Sequence, residues 1–213
     1  MSKKKDQNKL SRKLTLIEDL MSTEQIRIIR ANIEDKIKKE SVFLTVTSPN
    51  LEDQKSLISA KLAIAFAEVG KKVLLVDANF RRPSLHKWFN TYNTSGFVDV
   101  IYEGGSVNLY AKVTIVPGLF LLPTGSSVES SSYASVLSKA GTIMEQFRQS
   151  FDVVIMEAPS FLKSSDTHIL SRQCDGVILV MKAHGTKKEE ALQTKHYLER
   201  ADKEIVGVIY QTG

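Results

Sequence analysis

The chain has 213 residues, of which 42% are apolar and 25% charged, with 11 glycines, 5 prolines and a formal net charge of +5. This composition is typical of one globular α/β-sized domain and excludes collagen-like, low-complexity and intrinsically disordered classes. No apolar run reaches the roughly eighteen residues of a membrane-spanning helix, and no apolar secretory segment follows the N-terminal lysines. The single cysteine excludes an internal disulfide and predicts a reducing compartment.

The first thirteen residues carry all of the net charge, because six lysines and arginines stand there against one acid, Asp6. We predict that residues 1–21 form a basic, flexible tail. Such a tail is either a solvated end or an attachment to an anionic membrane leaflet or acidic partner, with roughly 1 kcal/mol per basic residue near the surface. Nucleic acid is not expected as a partner, since no basic and aromatic face follows in the neutral remainder.

Residues 22–213 are predicted to form a single domain in which helices and strands alternate. Ser22 and Gln25 fit a capping box, and isoleucines at 26, 29, 33 and 37 indicate an amphipathic helix over 23–39. Further helices are predicted over 55–69, 84–90, 96–103, 133–149, 166–173 and 187–201. Strands are predicted over 42–47, 72–77, 118–122, 152–156, 175–181 and 204–210, with a serine-rich loop at 124–132.

The predicted strands are continuous apolar runs separated by helices, which is typical of a parallel sheet covered on both faces. The expected fold class is therefore α/β, with a doubly wound, mostly parallel sheet flanked by helices. Ligands bind such sheets outside the carboxyl ends of the strands. Thr47, Asp77 and Glu157 fall at these ends in the sequence, so the site is expected there.

Lys55 and Ser56 follow a strand and a loop and open a helix, an arrangement that predicts a phosphate-binding loop. In such a loop the backbone amides and helix N-terminus hold phosphates, the lysine reaches the β- and γ-oxygens, and the serine hydroxyl ligates Mg²⁺. Asp77 and Glu157 end two other strands. Together these residues are what a magnesium–nucleotide site requires.

From about Ser22 to Gln211 the sequence resembles the bacterial tyrosine kinases of capsule and exopolysaccharide systems, which are relatives of the MinD and ParA ATPases. The family's motifs appear here in order. They are the Glu24-x-x-Arg27-x-x-Arg30 helix, the strand before the Walker A loop at 46–48, the Walker A′ segment at 70–87, Walker B at 151–159, an acid at Asp166, and two later strands at 174–180 and 206–211.

The resemblance implies a P-loop NTPase-like fold and an ATP–Mg²⁺ site. It implies Asp77 as the general base on a tyrosine hydroxyl and Lys55 as the group that neutralises γ-phosphate charge. The implied Mg²⁺ ligands are Ser56, Asp77 and Glu157. The implied nucleotide contacts are Glu52, Asp53, Gln54, Lys55, Ser56, Leu57 and Gln211, the last near the adenine. Glu24, Arg27 and Arg30 are implied to build a ring of subunits, and a solvated helix face with one local ion pair is the alternative.

Several positions depart from the family's pattern, in which the loop reads Gly-Glu-Gly-Lys-Ser/Thr. Gln54 replaces a glycine, which blocks close backbone approach to phosphate and would cost roughly 1–2 kcal/mol if a left-handed conformation were needed. Glu52 replaces the other glycine, and its charge would repel each phosphate charge by roughly 3 kcal/mol. Asn79, Glu157, Gln211 and residues 126–132 also differ from the family, and the sequence shows no tyrosine cluster near Gly213.

The resulting hypothesis is a cytoplasmic tyrosine-kinase-like protein, peripheral at the inner face of the plasma membrane and impaired in catalysis. It would regulate capsular or exopolysaccharide biosynthesis with a membrane co-polymerase partner, and ATP and Mg²⁺ would be its cofactors only if the site functions. The alternatives are an active tyrosine autokinase, a non-catalytic ring scaffold, and a MinD/ParA-like ATPase. The last is disfavoured because the lysine that opens the MinD/ParA loop is absent. Cys174 is expected in the core, and the four histidines share no metal-ligand spacing.

Overall fold

A computed structural model describes residues 23–50, 54–125, 137 and 140–212. Parts of the sequence predictions lie outside these ranges. They are the basic tail at 1–21, Ser22 of the predicted capping box, Glu52 and Asp53 of the predicted phosphate-binding loop, most of the serine-rich loop, and the first part of the predicted 133–149 helix.

Strands and helices alternate along the described chain. The helices are α1 (Glu24–Lys36), α2 (Lys55–Glu68), α3 (Leu85–Trp88), α4 (Phe97–Glu103), α5 (Val107–Tyr110), α6 (Ala140–Ser150), α7 (Ser165–Ser171) and α8 (Lys188–Arg200), with a 3₁₀ turn at Phe161–Lys163. The strands are β1 (Val42–Thr47), β2 (Val73–Asp77), β3 (Lys112–Val113), β4 (Leu119–Leu122), β5 (Val153–Glu157), β6 (Gly176–Lys182) and β7 (Ile205–Gln211).

The strands form one seven-stranded sheet in the order β3-β4-β2-β5-β1-β6-β7. Every neighbouring pair is parallel except β3 and β4, which are antiparallel. Consecutive strands β1 and β2 are separated by β5, so crossover helices lie on the faces of the sheet. The predicted doubly wound, mostly parallel sheet is confirmed.

Alternate strand residues bury against the two helical layers. Leu44, Leu75 and Ile155 point into one cluster with α1 and α2, and Phe43, Leu74 and Val154 point into the other with α4, α6 and α8. At roughly 1.5–3 kcal/mol for each fully buried large side chain, these two clusters are the main source of stability. Among the described helices, none combines the length and apolarity needed to cross a membrane.

Helix α1 begins one residue later than the predicted capping box implied. Thr23 is the N-cap, and its hydroxyl accepts from the backbone N–H of Ile26 at 3.4 Å. The helix ends at Lys36, because Ile37 has extended backbone angles. Ile37 nevertheless stays buried with Ile26 and Ile33, so the predicted apolar stripe packs on the domain.

Three short elements were not predicted: the α5 helix, the two-residue strand β3 and the 3₁₀ turn. Each is too short to show a hydrophobic period. At the opposite edge of the sheet, β7 leaves Val208 and Tyr210 exposed. Val206 of β7 packs directly over Gly176 of β6, so a Cβ on Gly176 would lie 2.4 Å from Cγ1 of Val206.

Candidate functional site

Two acids lie side by side at the carboxyl edge of the sheet. Asp77 ends β2 and Glu157 ends β5, and the two residues are direct partners in the parallel register. On its other side Glu157 pairs with Val46 of β1. Because α2 follows β1, its first residues lie next to both acids. The two carboxyl side chains are almost fully buried, at 0% and 1% exposure.

Lys55 is the first residue of α2 and is also buried, with 5% exposure. Its Nζ lies 3.5 Å from Oγ of Ser160, and Ser160 in turn donates to the backbone carbonyl of Asn50 at 2.7 Å. Ser160 follows the β5 end and Asn50 precedes the predicted phosphate-binding loop. The lysine is thus held among polar groups from both sides of that loop.

Gln54 directly precedes Lys55 and serves as the N-cap of α2. Its backbone angles are φ −78° and ψ 46°, so it does not adopt the left-handed conformation. The strain that a left-handed conformation would have cost at this position therefore does not arise. Its side chain makes no capping hydrogen bond to the helix. What remains of the expected penalty is the steric bulk of a side chain where the family has none.

Ser56 is engaged by the protein itself. Its hydroxyl donates to Oε2 of Glu157 at 3.1 Å, and Oγ of Ser84 lies 2.5 Å from Oγ of Ser56. Ser84 precedes α3, so this contact joins the starts of α2 and α3. Leu57, the next residue of α2, is half-buried and packs against the apolar cluster beneath the helix.

Asp77 is a cap for the segment that follows β2. Its Oδ2 accepts from the backbone N–H groups of Ser84 at 2.9 Å and Leu85 at 3.0 Å, and its Oδ1 accepts from Asn79 N–H at 3.2 Å. Burial raises the pKa of Asp77 to about 6, although these three N–H groups act in the opposite direction. The carboxyl is therefore largely ionised at neutral pH and already bonded to the backbone.

Glu157 behaves differently because it is buried beside that acid. Burial and, second, the charge of Asp77 raise the pKa of Glu157 to about 8, while Lys55 and the hydrogen bond from Ser56 lower it. Asn79 Nδ2 approaches its other oxygen, Oε1, at 3.3 Å. Glu157 is thus mostly a neutral carboxylic acid at pH 7, and the acid pair holds one proton between two carboxyls.

The donor types around Ser56 suit Mg²⁺, which prefers hard oxygen ligands. Their arrangement does not fit it. Ser56 is bonded to Glu157, Asp77 is bonded to backbone N–H groups, and the amide of Asn79 sits on Glu157. Across residues 23–50, 54–125, 137 and 140–212, no three acidic, histidine or cysteine side chains gather as a metal cluster. The site would have to rearrange before it could hold a metal ion.

Gln211 lies at the end of β7, two strands beyond β1, and does not join the acid pair. Its Oε1 is buried and finds no hydrogen-bond donor among the described residues, and the same holds for Oδ1 of Asn50. The backbone carbonyl of Gln211 accepts from Ala183 N–H at 2.7 Å, and Asn50 Nδ2 donates to Gly185 O at 3.4 Å. Gln211 and Asn50 thus both contact the turn after β6.

The three residues of the predicted subunit contact are partly engaged within the chain. Arg27 donates through Nε to Oε2 of Glu68 at 3.0 Å and lies 3.6 Å from Glu24. Arg30 is paired with Glu34, and its side chain is only 17% exposed. Arg27 therefore faces outward, whereas Arg30 is held against its own helix.

Asn50, Ser84 and Ser160 were missed from the sequence. Only Ser160 carried a signal, since it directly follows the Ala-Pro pair after β5. Ser84 reaches Ser56 across 28 positions of sequence, and nothing in the local pattern indicates such a contact.

The sequence of this chain matches one protein family and several characterised proteins. Residues 54–202, more than half of the chain, match the family described as cellulose biosynthesis protein BcsQ. The chain is 30% identical over 190 residues to tyrosine-protein kinase YwqD of Bacillus subtilis (strain 168), and the match covers 89% of this chain and 80% of that protein.

Two solved structures share the fold. The kinase domain of Escherichia coli tyrosine kinase ETK superposes with a TM-score of 0.81 at 23% identity, covering 87% of this chain and 73% of that one. The septum site-determining protein MinD from Pyrococcus horikoshii OT3, complexed with Mg-ADP, gives a TM-score of 0.69 at 19% identity, covering 80% and 70%. At these identities the likeness establishes the architecture alone.

Proposed function

Because this chain belongs to the family of MinD- and ParA-related P-loop proteins that includes the bacterial tyrosine kinases and BcsQ, we propose that it is a tyrosine-kinase-like regulator of polysaccharide biosynthesis whose nucleotide site is impaired for phosphoryl transfer. Polysaccharide biosynthesis is supported by the matched family's description, cellulose biosynthesis protein BcsQ, and tyrosine-kinase ancestry by the similarity to YwqD.

One observation carries the impairment. The hydroxyl of Ser56, which a competent loop would offer to Mg²⁺, is bonded to Glu157 at 3.1 Å and lies against Ser84 at 2.5 Å. Glu157 is one methylene longer than the aspartate of the family's pattern, and its carboxyl accepts the hydrogen bond from Ser56. A metal ion would have to break this contact and also remove the proton from a buried acid.

The proposed assembly and location are supported by the family and by the charge distribution of the sequence. In this proposal the protein lies in the cytoplasm at the inner face of the plasma membrane and acts with a membrane polysaccharide co-polymerase. The basic residues of 1–13 attract it to anionic lipid, and the exposed side of Arg27 takes part in a ring of identical subunits. A neutral domain with a basic end is suited to such peripheral attachment.

Nucleotide titration with a phosphoryl-transfer assay tests the proposal. Calorimetry with ATP and Mg²⁺ should give affinity far weaker than the micromolar range, and radiolabelled ATP should leave the protein and added tyrosine peptides unlabelled. The double variant Glu52→Gly with Gln54→Gly should bind more tightly, because it removes a charge and a side chain from the loop. Micromolar affinity together with labelled tyrosine in the unaltered protein would instead identify an active autokinase.

A further inference from the structure

The two edges of the sheet differ in how they are protected against pairing with another chain. The edge strand β3 has only two residues, and one of them is Lys112. Short edge strands and charged side chains both hinder the addition of a further strand. The opposite edge strand, β7, has seven residues, with no charged residue and no proline among them. The composition of β7 is thus that of a strand which another strand can join.

Helix α1 covers only the beginning of this edge. Lys36 donates to the backbone carbonyl of Ile205 at 3.4 Å and pairs with Glu204 at 2.8 Å. Farther along the strand, Val208 and Tyr210 are 49% and 59% exposed. Among the described strands, β7 pairs with β6 alone. The second half of β7 is therefore accessible in the part of the chain that the structure describes.

The backbone polar groups of Val208 and Tyr210 point away from the sheet. Ala183 N–H donates to the carbonyl of Gln211 at 2.7 Å, so the polar groups of Gln211 face β6. Because these groups alternate in direction along a strand, those of Ile209 also face β6, whereas those of Val208 and Tyr210 face outward. The edge thus offers two N–H groups and two carbonyl groups to a further strand.

A second copy of the chain fits this edge in one register. Antiparallel pairing about a two-fold axis at Ile209 places Val208 opposite the partner's Tyr210, and Tyr210 opposite the partner's Val208. Both pairs join outward-facing backbone groups, so they would exchange four hydrogen bonds. Each exposed tyrosine also packs against an exposed β-branched side chain, which is a favourable cross-strand combination. No charged residue lies in the paired segment, so the two copies bring no like charges together.

The neighbouring register is less suitable. A two-fold axis at Val208 would place Tyr210 opposite the partner's Val206. The side chain of Val206 is buried over Gly176, so it could not cover the exposed tyrosine. The axis at Ile209 is therefore the one in which the same surface of both copies is self-complementary, as a two-fold contact requires.

We propose that β7 is a homodimerisation edge, at which two copies of the chain join their sheets antiparallel through Gly207–Gln211. This contact is distinct from the proposed ring contact, because Arg27 lies on α1 against Glu68. Stable interfaces use roughly 20–30 residues a side, far more than this short segment, so the dimer is weak and depends on protein concentration. The inference goes beyond the proposed function and does not depend on whether the protein transfers a phosphoryl group.

Sedimentation equilibrium of the full-length Arg27→Ala variant tests the dimer, since this variant removes the ring contact. Dilute samples should be monomeric, and a dimer should appear as the protein concentration is raised about a hundredfold. Adding Val208→Lys and Tyr210→Lys should weaken the dimer at least about tenfold, because like charges then lie directly opposite each other. Val113→Lys, at the exposed position of β3, is the matched control and should leave the dimer unchanged.

Cysteine cross-linking tests the register. In an antiparallel strand pair, the Cα atoms of a hydrogen-bonded residue pair lie about 5.5 Å apart, within disulfide range, whereas positions two residues out of register lie beyond the limit of about 7 Å. Oxidation of a mixture of Val208→Cys and Tyr210→Cys chains with copper–phenanthroline should therefore give a cross-linked dimer. Either variant alone should give much less. The native Cys174 is buried and does not compete.

A protein that stays monomeric at every concentration, or a dimer that the two lysines leave unchanged, would overturn the assignment of this edge. Efficient cross-linking of Val208→Cys with itself would overturn the register. A dimer that forms only after deletion of residues 2–22 would assign the edge to that segment rather than to a second copy. Melting curves check that the lysine variants are folded, and the cross-linking of the cysteine variants does not depend on them.

Discussion

Ser56 at the start of α2 and Glu157 at the end of β5 are joined by a hydrogen bond of 3.1 Å. In a P-loop protein that serine normally faces a metal ion. Here the longer acid reaches it directly, and Asn79 holds the other carboxyl oxygen of the same acid. The start of α2 is consequently bonded to the end of β5.

Shortening Glu157 should reopen the site. In Glu157→Asp the carboxyl retracts by one methylene and loses Ser56, so Mg²⁺-dependent ATP affinity should rise about tenfold or more, as is typical when ligand orientation is restored. Glu157→Gln is the matched control, since it keeps the length and should gain nothing. Calorimetry with and without Mg²⁺ measures the difference. Equal affinity in both variants would contradict a role for this contact in blocking the metal.

Glu157 should also make the protein less stable as the pH rises. Its pKa is about 8 in the folded state against 4.5 for the ordinary group, so the folded state binds more protons. The stabilising contribution is complete below about pH 4.5 and is lost as the pH rises through 8, a loss on the order of 5 kcal/mol. The raised pKa of Asp77 likewise lowers the stability of the folded state as the pH rises to about 6.

Urea unfolding at pH 5, 6, 7 and 8 measures this dependence. In Glu157→Gln the loss between pH 6 and 8 should largely disappear, because the amide stays neutral. Comparing the two proteins at each pH cancels the contribution of the histidines to the pH dependence of stability, including that of His86, whose pKa is lowered by burial. Parallel curves for the two proteins would show that Glu157 does not carry the buried proton.

Arg27→Ala should dissociate the proposed subunit ring without unfolding the domain. The Arg27 side chain is 44% exposed and pairs with Glu68 and Glu24 at the surface, where ion pairs add little to stability. The buried isoleucines of α1 are untouched. Light scattering should show an oligomer for the unaltered protein and for the control Arg200→Ala, and a monomer for Arg27→Ala. A monomeric unaltered protein at high concentration would leave α1 without an assembly role.

Removing residues 2–13 should weaken binding to anionic vesicles. This segment carries all of the formal net charge, so its loss should abolish most of the salt dependence of binding. Sedimentation with vesicles of phosphatidylserine and phosphatidylcholine measures the effect, with pure phosphatidylcholine as the control. Unchanged sedimentation after the deletion would argue that another surface mediates attachment.

The strands were largely predictable because strands that are buried on both faces consist of continuous apolar runs. Val42–Thr47 was predicted with its observed bounds, and the parallel order follows from alternation with helices. The two-residue strand Lys112–Val113 was not predicted, since it is too short to show a period.

Within the site, the nearness of Asp77 and Glu157 was predictable because both residues end strands of a parallel sheet. The backbone angles of Gln54 and the contact of Ser84 with Ser56 depend on how the loops pack, which local patterns do not encode.

The absence of a side chain at Gly176 allows β7 to pack closely against β6. A Cβ at position 176 would lie 2.4 Å from Cγ1 and 2.9 Å from Cγ2 of Val206, so Val206 or the start of β7 would have to shift to make room for even one methyl group. Gln211 lies at the other end of that strand, and β7 is two strands from β1. A substitution of Gly176 is therefore expected to disturb the edge formed by β6 and β7, which ends at Gln211, more than the β2–β5 pair that holds Glu157.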